Sequence, residues 1–344
     1  VGAIRSFLMS FWDNYKNTIE ALSGGRNTVI FDDVDLPSVM VRIPKFNVED
    51  IDALLGTGVH PAFIVGGAEK THFAVGKYLA YEYNSRAYSL PFKDPKTSID
   101  FDDSRSRCTA KGTGWHLLSN WEWAAIVLLC LKNSFQPRGN TDYGRHHAET
   151  YETAIRQDGL APGESGTART LTGTGPNTWN HDNSPLGISD MTGNVWKWVD
   201  GMKLVGGKFY MPNDNDYSLA EASWVDQGVI VADDGGVAKL GDAALDTLYA
   251  TGSVSFGAWK GLTTTANYDA LAEATRQRMF QACIDPYNTT DPVGNFWFNT
   301  DGERMPRRGG YWDNAGHAGP CALTLHNVRS YVSPDLGFFP AFIS

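Results

Sequence analysis

The sequence predicts an α+β protein with long loops. Three observations carry this: two segments repeat apolar residues at helical spacing, several short runs are β-rich, and glycine and aromatic side chains abound. With 36 Gly, 11 Trp, 14 Tyr and 17 Phe, the chain favours loops pinned by large rings over a helical bundle. In residues 5–22, Phe7, Leu8, Phe11, Trp12, Tyr15, Ile19 and Leu22 recur at helical spacing, and Gly24-Gly25 ends the run. Residues 28–31 and 39–43 are short β-rich runs, and 60–65 and 71–83 read as strands with their connection. Residues 102–111 read as a second helix, with Gly112 just past its end. Ser119-Asn120-Trp121-Glu122 is a capping box, in which the Ser hydroxyl takes a helix N–H and Glu122 reaches back. The following run, 123–131, is apolar on nearly all sides, which predicts a deeply buried helix. Residues 136–147 and 160–184 are loops rich in Gly, Thr, Asn and Pro, with Trp179, Trp196 and Trp198 as candidates to pin them. Residues 201–300 are the least patterned part and read as insertions on the scaffold, with a candidate helix at 268–284.

Composition narrows the partners. A formal net charge of -10 argues against nucleic acid, whose phosphates need a basic face, and against an anionic membrane surface. No apolar run reaches the ~20 residues that span a bilayer. The stretch 4–12 is too short for a signal peptide and lacks a cleavage-like site. Cys108, Cys130, Cys283 and Cys321 show no metal-type spacing, and four buried thiols are favoured over two disulfides.

The tail carries the most information. After Arg308-Gly309-Gly310-Tyr311-Trp312 come Asp313, Asn314, His317, Thr324, His326, Tyr331, Ser333 and Asp335, set among Gly316, Gly319, Leu323, Leu325 and Gly337-Phe338. From residue 310 to 344 there is no Lys, Glu, Gln or Met. Such side chains, short or aromatic and capable of polar contact, are those of adaptable recognition surfaces.

Two segments carry a family resemblance. Gly187-Ile188-Ser189-Asp190-Met191-Thr192-Gly193-Asn194-Val195-Trp196-Lys197-Trp198-Val199, followed by Arg308-Gly309-Gly310-Tyr311-Trp312, Arg329 and Gly337-Phe338, resembles the formylglycine-generating-enzyme (sulfatase-modifying) domain, an elaboration of the C-type lectin fold. Pro37–Pro44, His60-Pro61-Ala62-Phe63-Ile64, Lys111-Gly112-Thr113-Gly114-Trp115-His116-Leu117, Pro137-Arg138-Gly139-Asn140, Thr170-Leu171-Thr172-Gly173-Thr174-Gly175-Pro176 and Gly302-Glu303-Arg304-Met305-Pro306 look like one subgroup of it. That subgroup is the variable proteins of diversity-generating retroelements, found in phages, archaeal viruses and some microbes. The resemblance implies an N-terminal extension over 1–36 (helix plus short strand) and a lectin-type domain over 37–344. Insertions would lie at about 201–300 and a variable region at about 310–337.

In that family a reverse transcriptase rewrites adenines in the last stretch of the gene, and the fold displays the resulting side chains. AAY codons can become any NNY codon, which excludes Lys, Glu, Gln, Met and Trp. By family spacing the variable, ligand-binding positions here are Tyr311, Asp313, Asn314, Ala315, His317, Thr324, His326, Asn327, Tyr331, Ser333 and Asp335. The framework is Trp196, Trp198, Arg308, Gly309, Gly310, Trp312, Arg329, Gly337 and Phe338. A strand through 323–326 would turn Leu323 and Leu325 inward and Thr324 and His326 outward.

The implied function is recognition of a protein or other surface ligand on a host or neighbouring cell, without catalysis, from a virion or cell surface. Family members are sometimes trimers, so an oligomer stays open. The rival enzyme reading requires the family's pair of copper-binding cysteines in the tail. Only Cys321 is there, and Asp313, near the second position, offers a carboxylate in place of the thiolate copper(I) prefers. His146-His147, His317 and His326 read as loop and surface histidines, not as the HxxxH-like site of sulfoxide synthases. An invariant structural virion or surface protein is the other rival. No cofactor is expected. Calcium, bound near Asn194 in the wider family, is disfavoured by Lys197 where a Glu is usual, because an ammonium cannot ligate a cation. Asn213-Asp214-Asn215-Asp216 is a weaker calcium candidate that reads as a polar turn.

Overall fold

In the computed structural model, which describes residues 2–246, 253–286 and 292–344, helices form where the sequence places their caps. Helix Gly2–Ser23 runs into Gly24 and Gly25, both at positive φ. Helix Phe101–Thr109 begins with the Asp100 carboxylate accepting the Asp103 N–H at 2.8 Å. The chain leaves it through Gly112 at φ +111°. Helix Asn120–Lys132 opens with the capping box: Ser119 Oγ accepts from Glu122 N at 3.1 Å, and Glu122 Oε2 accepts from Ser119 N at 2.9 Å. The candidate helix at 268–284 is instead two short helices, Ala266–Asp269 and Glu273–Gln281. Between them Ala272 leaves the helical conformation (φ −50°, ψ 136°), and Tyr268 is buried with its hydroxyl donating to Asp285 Oδ2 at 2.7 Å.

The first sheet orders strands Asn27–Phe31, Pro37–Pro44, His72–Gly76, Pro340–Phe342 and Trp115–Leu117, all antiparallel. The strand from the N-terminal stretch is thus its edge, and a strand near the other end of the chain lies inside it. The unpatterned stretch 201–300 contributes most of a second, six-stranded sheet, ordered Thr263–Thr264, Val237–Asp242, Val225–Asp234, Lys208–Met211, Lys203–Val205 and Glu303–Arg304. The third sheet also has six strands: Ser253–Ala258, Asn295–Asn299, Leu323–Leu325, Arg307–Arg308, Trp196–Trp198 and Leu336–Phe338. It collects both framework motifs, and two of its pairings are parallel.

Helix Asn120–Lys132 lies at the centre of the core. Trp121, Trp123 and Ile126 belong to one buried cluster with Phe73 and Val75 of the first sheet, Leu204 and Phe209 of the second, and Phe296, Phe298, Leu323 and Leu325 of the third. Trp115, Trp121, Trp123, Trp196 and Trp198 are all buried, which places these rings in packing and not on a sugar platform. The four cysteines are free and buried.

The capping box extends into a buried polar network that docks the second sheet's connection. Ser119 Oγ donates to Asn215 Oδ1 at 2.6 Å, and Asn215 Nδ2 donates to Glu122 Oε1 at 3.1 Å. The turn at 213–216 therefore turns Asn215 into the core. His116 Nε2 meets Glu122 Oε1 at 2.9 Å. Burial pushes the His116 pKa down, but the charge and hydrogen bond of Glu122 outweigh it and hold it above the usual histidine value. Glu122→Ala, which leaves the buried Ser119 N–H, Asn215 Nδ2 and His116 Nε2 without their acceptor, is expected to cost about 3–5 kcal/mol in urea unfolding. In the wild type the raised His116 pKa makes its contribution complete below about pH 6.5 and lost as pH rises through the folded value. Stability curves of Glu122→Gln should lack that slope.

A candidate ligand-binding face

The tail is held at both ends by strands and at its first turn by glycine. Gly309 and Gly310 sit at φ +89° and +83°. A Cβ would fall 2.2 Å from the Met191 carbonyl oxygen at Gly309 and 2.5 Å from Ala318 Cβ at Gly310, so only glycine fits both. Arg308 points into the core, where its Nε and Nη2 donate to Asn120 Oδ1 at 3.1 and 2.7 Å. Nη2 also reaches the carbonyls of Ala282 and Cys283. Trp312 is 7% exposed, and its N–H donates to the Asn194 carbonyl at 3.1 Å. Asn194 is itself fixed by paired bonds to the Thr170 backbone.

The Asn194 turn holds a charge in its floor. Lys197 is fully buried and its Nζ donates to the carbonyls of Gly193 (2.5 Å) and Met191 (3.2 Å). Burial lowers its pKa to about 7 against the pull of Asp190.

Downstream, Arg329 bonds three carboxylates from separate elements: Asp102 at 2.9 Å, Glu221 at 2.6 Å and Glu303 at 2.8 Å. Burial opposes ionisation of Glu221 and Glu303, yet the bonds from Arg329 prevail and hold both below the usual carboxylate range. Gly337 and Phe338 lie in the buried strand Leu336–Phe338, and Trp196 N–H donates to the Asp335 carbonyl at 2.7 Å. Apart from the half-buried Arg329, these framework side chains are buried.

The expected variable side chains are mostly exposed or half-buried. Asp313, Ala315, His317 and Tyr331 are exposed, and Tyr311, Asn314, His326, Asn327, Ser333 and Asp335 are half-buried. Thr324 is the correction: it is 3% exposed, not outward to solvent. The alternation holds, since Leu323 and Leu325 enter the core and Thr324 takes the opposite face. That face is covered, however, because Thr324 stands between Trp297 and Arg307 on the neighbouring strands.

These cross-strand neighbours are groups the sequence reasoning missed. Trp297 lies 5.6 Å from Trp196 and 6.4 Å from the His317 ring. The Arg307 guanidinium lies 5.5 Å from Trp196, 5.8 Å from Trp198 and 5.2 Å from the Tyr331 ring, and Nη2 donates to Asn327 Oδ1. Tyr311 packs edge-on to Trp312 at 5.5 Å. Burial and then the nearby Asp313, Asp335, Tyr143 and Tyr331 push its pKa up to about 12. A hydrogen bond to Asp313 likewise raises the Tyr143 pKa. Burial, then Arg307 and Arg304, lower the His326 pKa, so its imidazole is neutral at pH 7. Trp196, Trp198 and Arg307 are buried and lie in contact with Trp297 and with Tyr331 of the tail. The available signal was the Arg307-Arg308 pair: in a strand, adjacent residues face opposite sides, so one of the two had to leave the core.

Residues 66–229 match the model of the Sulfatase-modifying factor enzyme 1-like domain. The fold is α+β, and the matched residues cover just under half of the chain. Among solved structures, the Major Tropism Determinant P3c Variant is similar at 14% identity over 88% of this chain and 62% of that one, with a TM-score of 0.33. The M1 variant is similar at 12% over 92% and 71%, TM-score 0.33. Treponema denticola variable protein 1 is similar at 8% over 92% and 98%, TM-score 0.34. The chain spans about three fifths of the length of the P3c variant. Among curated proteins nothing matches.

Trp312→Ala is expected to destabilise by about 3–5 kcal/mol in chemical unfolding. Asp313→Ala with Tyr331→Ala should stay within about 0.5 kcal/mol each. Because Glu221 and Glu303 have depressed pKa values, their contribution is present above about pH 4.5 and lost as pH falls through the folded values. Arg329→Ala should reduce acid sensitivity below about pH 4.5; an unchanged acid-unfolding midpoint would contradict the ion cluster.

Proposed function

We propose that this chain is a variable protein of a diversity-generating retroelement, and that its C-terminal face is a hypervariable surface that recognises a receptor without catalysis. One observation supports the reading: Arg308, Gly309, Gly310, Trp312, Gly337 and Phe338 are buried, while ten of the eleven candidate variable side chains are exposed or half-buried. A retroelement that rewrites codons needs that separation, because each new side chain must leave the core untouched. The contact set is Tyr311, Asp313, Asn314, Ala315, His317, His326, Asn327, Tyr331, Ser333 and Asp335, and Thr324 supports them from beneath. A fixed backbone lowers the ordering cost of each new set of contacts.

The chemistry of the cysteines favours binding over the copper-dependent oxidation of the related enzymes. The tail has the single thiol Cys321, and burial raises its pKa well above the ordinary value. A protonated thiol in an apolar site is a poor metal ligand. The partner is a surface ligand, foremost a protein, on a host or neighbouring cell, met from a virion or cell surface. Among the described residues no helix is long and apolar enough to cross a membrane.

The test is adhesion. Fluorescently labelled protein is incubated with the host or neighbouring cells, beside an Asp313→Ala, His317→Ala, Tyr331→Ala variant of equal melting temperature. Loss of at least about tenfold in affinity is expected, since few contacts dominate an interface. Equal cell binding by the folded triple variant would contradict the reading.

A further inference from the structure

The face has a fixed cationic centre beneath its exchangeable side chains. Arg307 is 7% exposed and belongs to the strand Arg307–Arg308, outside the candidate variable positions. Its guanidinium lies among Trp196, Trp198 and Tyr331, and its Nε has no hydrogen-bond acceptor among the described residues. Burial lowers its pKa to about 10, with Asp335 and then Tyr331, through its charge and a side-chain hydrogen bond, pulling the other way, so it stays charged at neutral pH. A buried positive charge with an unfilled donor is costly, and a carboxylate is the acceptor that fits a guanidinium fork.

What partly satisfies Arg307 comes from the tail. Asn327 Oδ1 accepts from its Nη2, Asp335 supplies nearby negative charge, and the Tyr331 ring, 36% exposed, lies over the guanidinium. All three are candidate variable positions. Exchange of these residues therefore changes how far the same cation is covered, while the cation and its flanking tryptophans stay.

We propose that Arg307 is a constant carboxylate-binding anchor of the recognition face, that the residue at position 331 gates it, and that the partner's contribution is an acidic side chain of a protein. This rests on the recognition reading above and deepens it by naming the partner's chemistry. Aromatic flanks exclude water from the guanidinium and leave it weakly hydrated, so a carboxylate displaces little on arrival. The bond is charge-assisted and can be bidentate, which gives direction as well as strength. Each tail variant would then set the specificity around a shared electrostatic contact.

The experiment uses the full chain and two soluble probes, a hexapeptide containing three glutamates and the same peptide with glutamines in their place. Binding is read by fluorescence anisotropy at low salt. Tyr331→Ala is expected to bind the glutamate peptide about tenfold more tightly than the glutamine peptide, with the preference shrinking as salt rises. Arg307→Gln in that background should abolish the preference. If that double variant does not fold, a second comparison serves: Asp335→Asn, which removes the competing carboxylate, should tighten glutamate-peptide binding several-fold, while Asp313→Asn, an equal charge change away from Arg307, should not. Equal binding of the two peptides by Tyr331→Ala, a preference that survives Arg307→Gln, or equal effects of the two aspartate variants would overturn the proposal. Cell adhesion that still depends on Asp313, His317 and Tyr331 would then show that only the acidic anchor had failed.

Discussion

A guanidinium in the core fixes where the tail begins. Arg308 is fully buried, and its bonds to Asn120 and to the carbonyls of Ala282 and Cys283 join three parts of the molecule. These are the start of the central helix, the end of the second sheet's excursion and the first strand of the tail. Removing those acceptors would strand a charge in the interior, so the register of Arg307–Arg308 cannot slide. Because that register is fixed, the sides to which Arg307, Tyr311 and Trp312 point are fixed too.

The same logic recurs down the tail. Asn194 receives the Trp312 N–H, Thr141 O receives the Ala315 N–H, and the Asp335 carbonyl receives the Trp196 N–H. These are backbone bonds, indifferent to the side chain at the position that makes them. Arg329 then ties the loop between strands Leu323–Leu325 and Leu336–Phe338 to three acidic residues that lie elsewhere in the chain. Specific side chains are needed only where they are buried or ion-paired. Under the proposed function, that division would let recognition chemistry change over a constant frame, with Trp297, Trp196 and Arg307 as its floor.

Much of this was legible in the sequence because it is local. The Ser119/Glu122 capping box, the glycine stop at Gly112, the buried apolar helix and the alternation of Leu323 and Leu325 each depend on residues a few positions apart. What was not legible depends on partners far along the chain. The second sheet pairs Leu204 with Arg304 and Lys239 with Thr263, through strands as short as two residues, too short to show a period. Thr324 looked exposed because alternation predicts a side of the sheet but not what covers that side. Its cover, Trp297 and Arg307, comes from strands on either flank. Arg307 itself was hidden by Arg308, whose motif drew attention to the core-facing member of the pair.

The central claim is that the tail side chains that do not bear on the buried Arg307 can be exchanged at little cost to the frame. A library randomised at Tyr311, Asp313, Asn314, Ala315, His317, His326 and Ser333, with each member scored for protease resistance across a temperature gradient, measures this directly. The account predicts that most members keep a melting temperature near that of the parent, whereas the same randomisation at Arg308, Gly309, Gly310 and Trp312 unfolds most of them. Equal losses in the two libraries would contradict it.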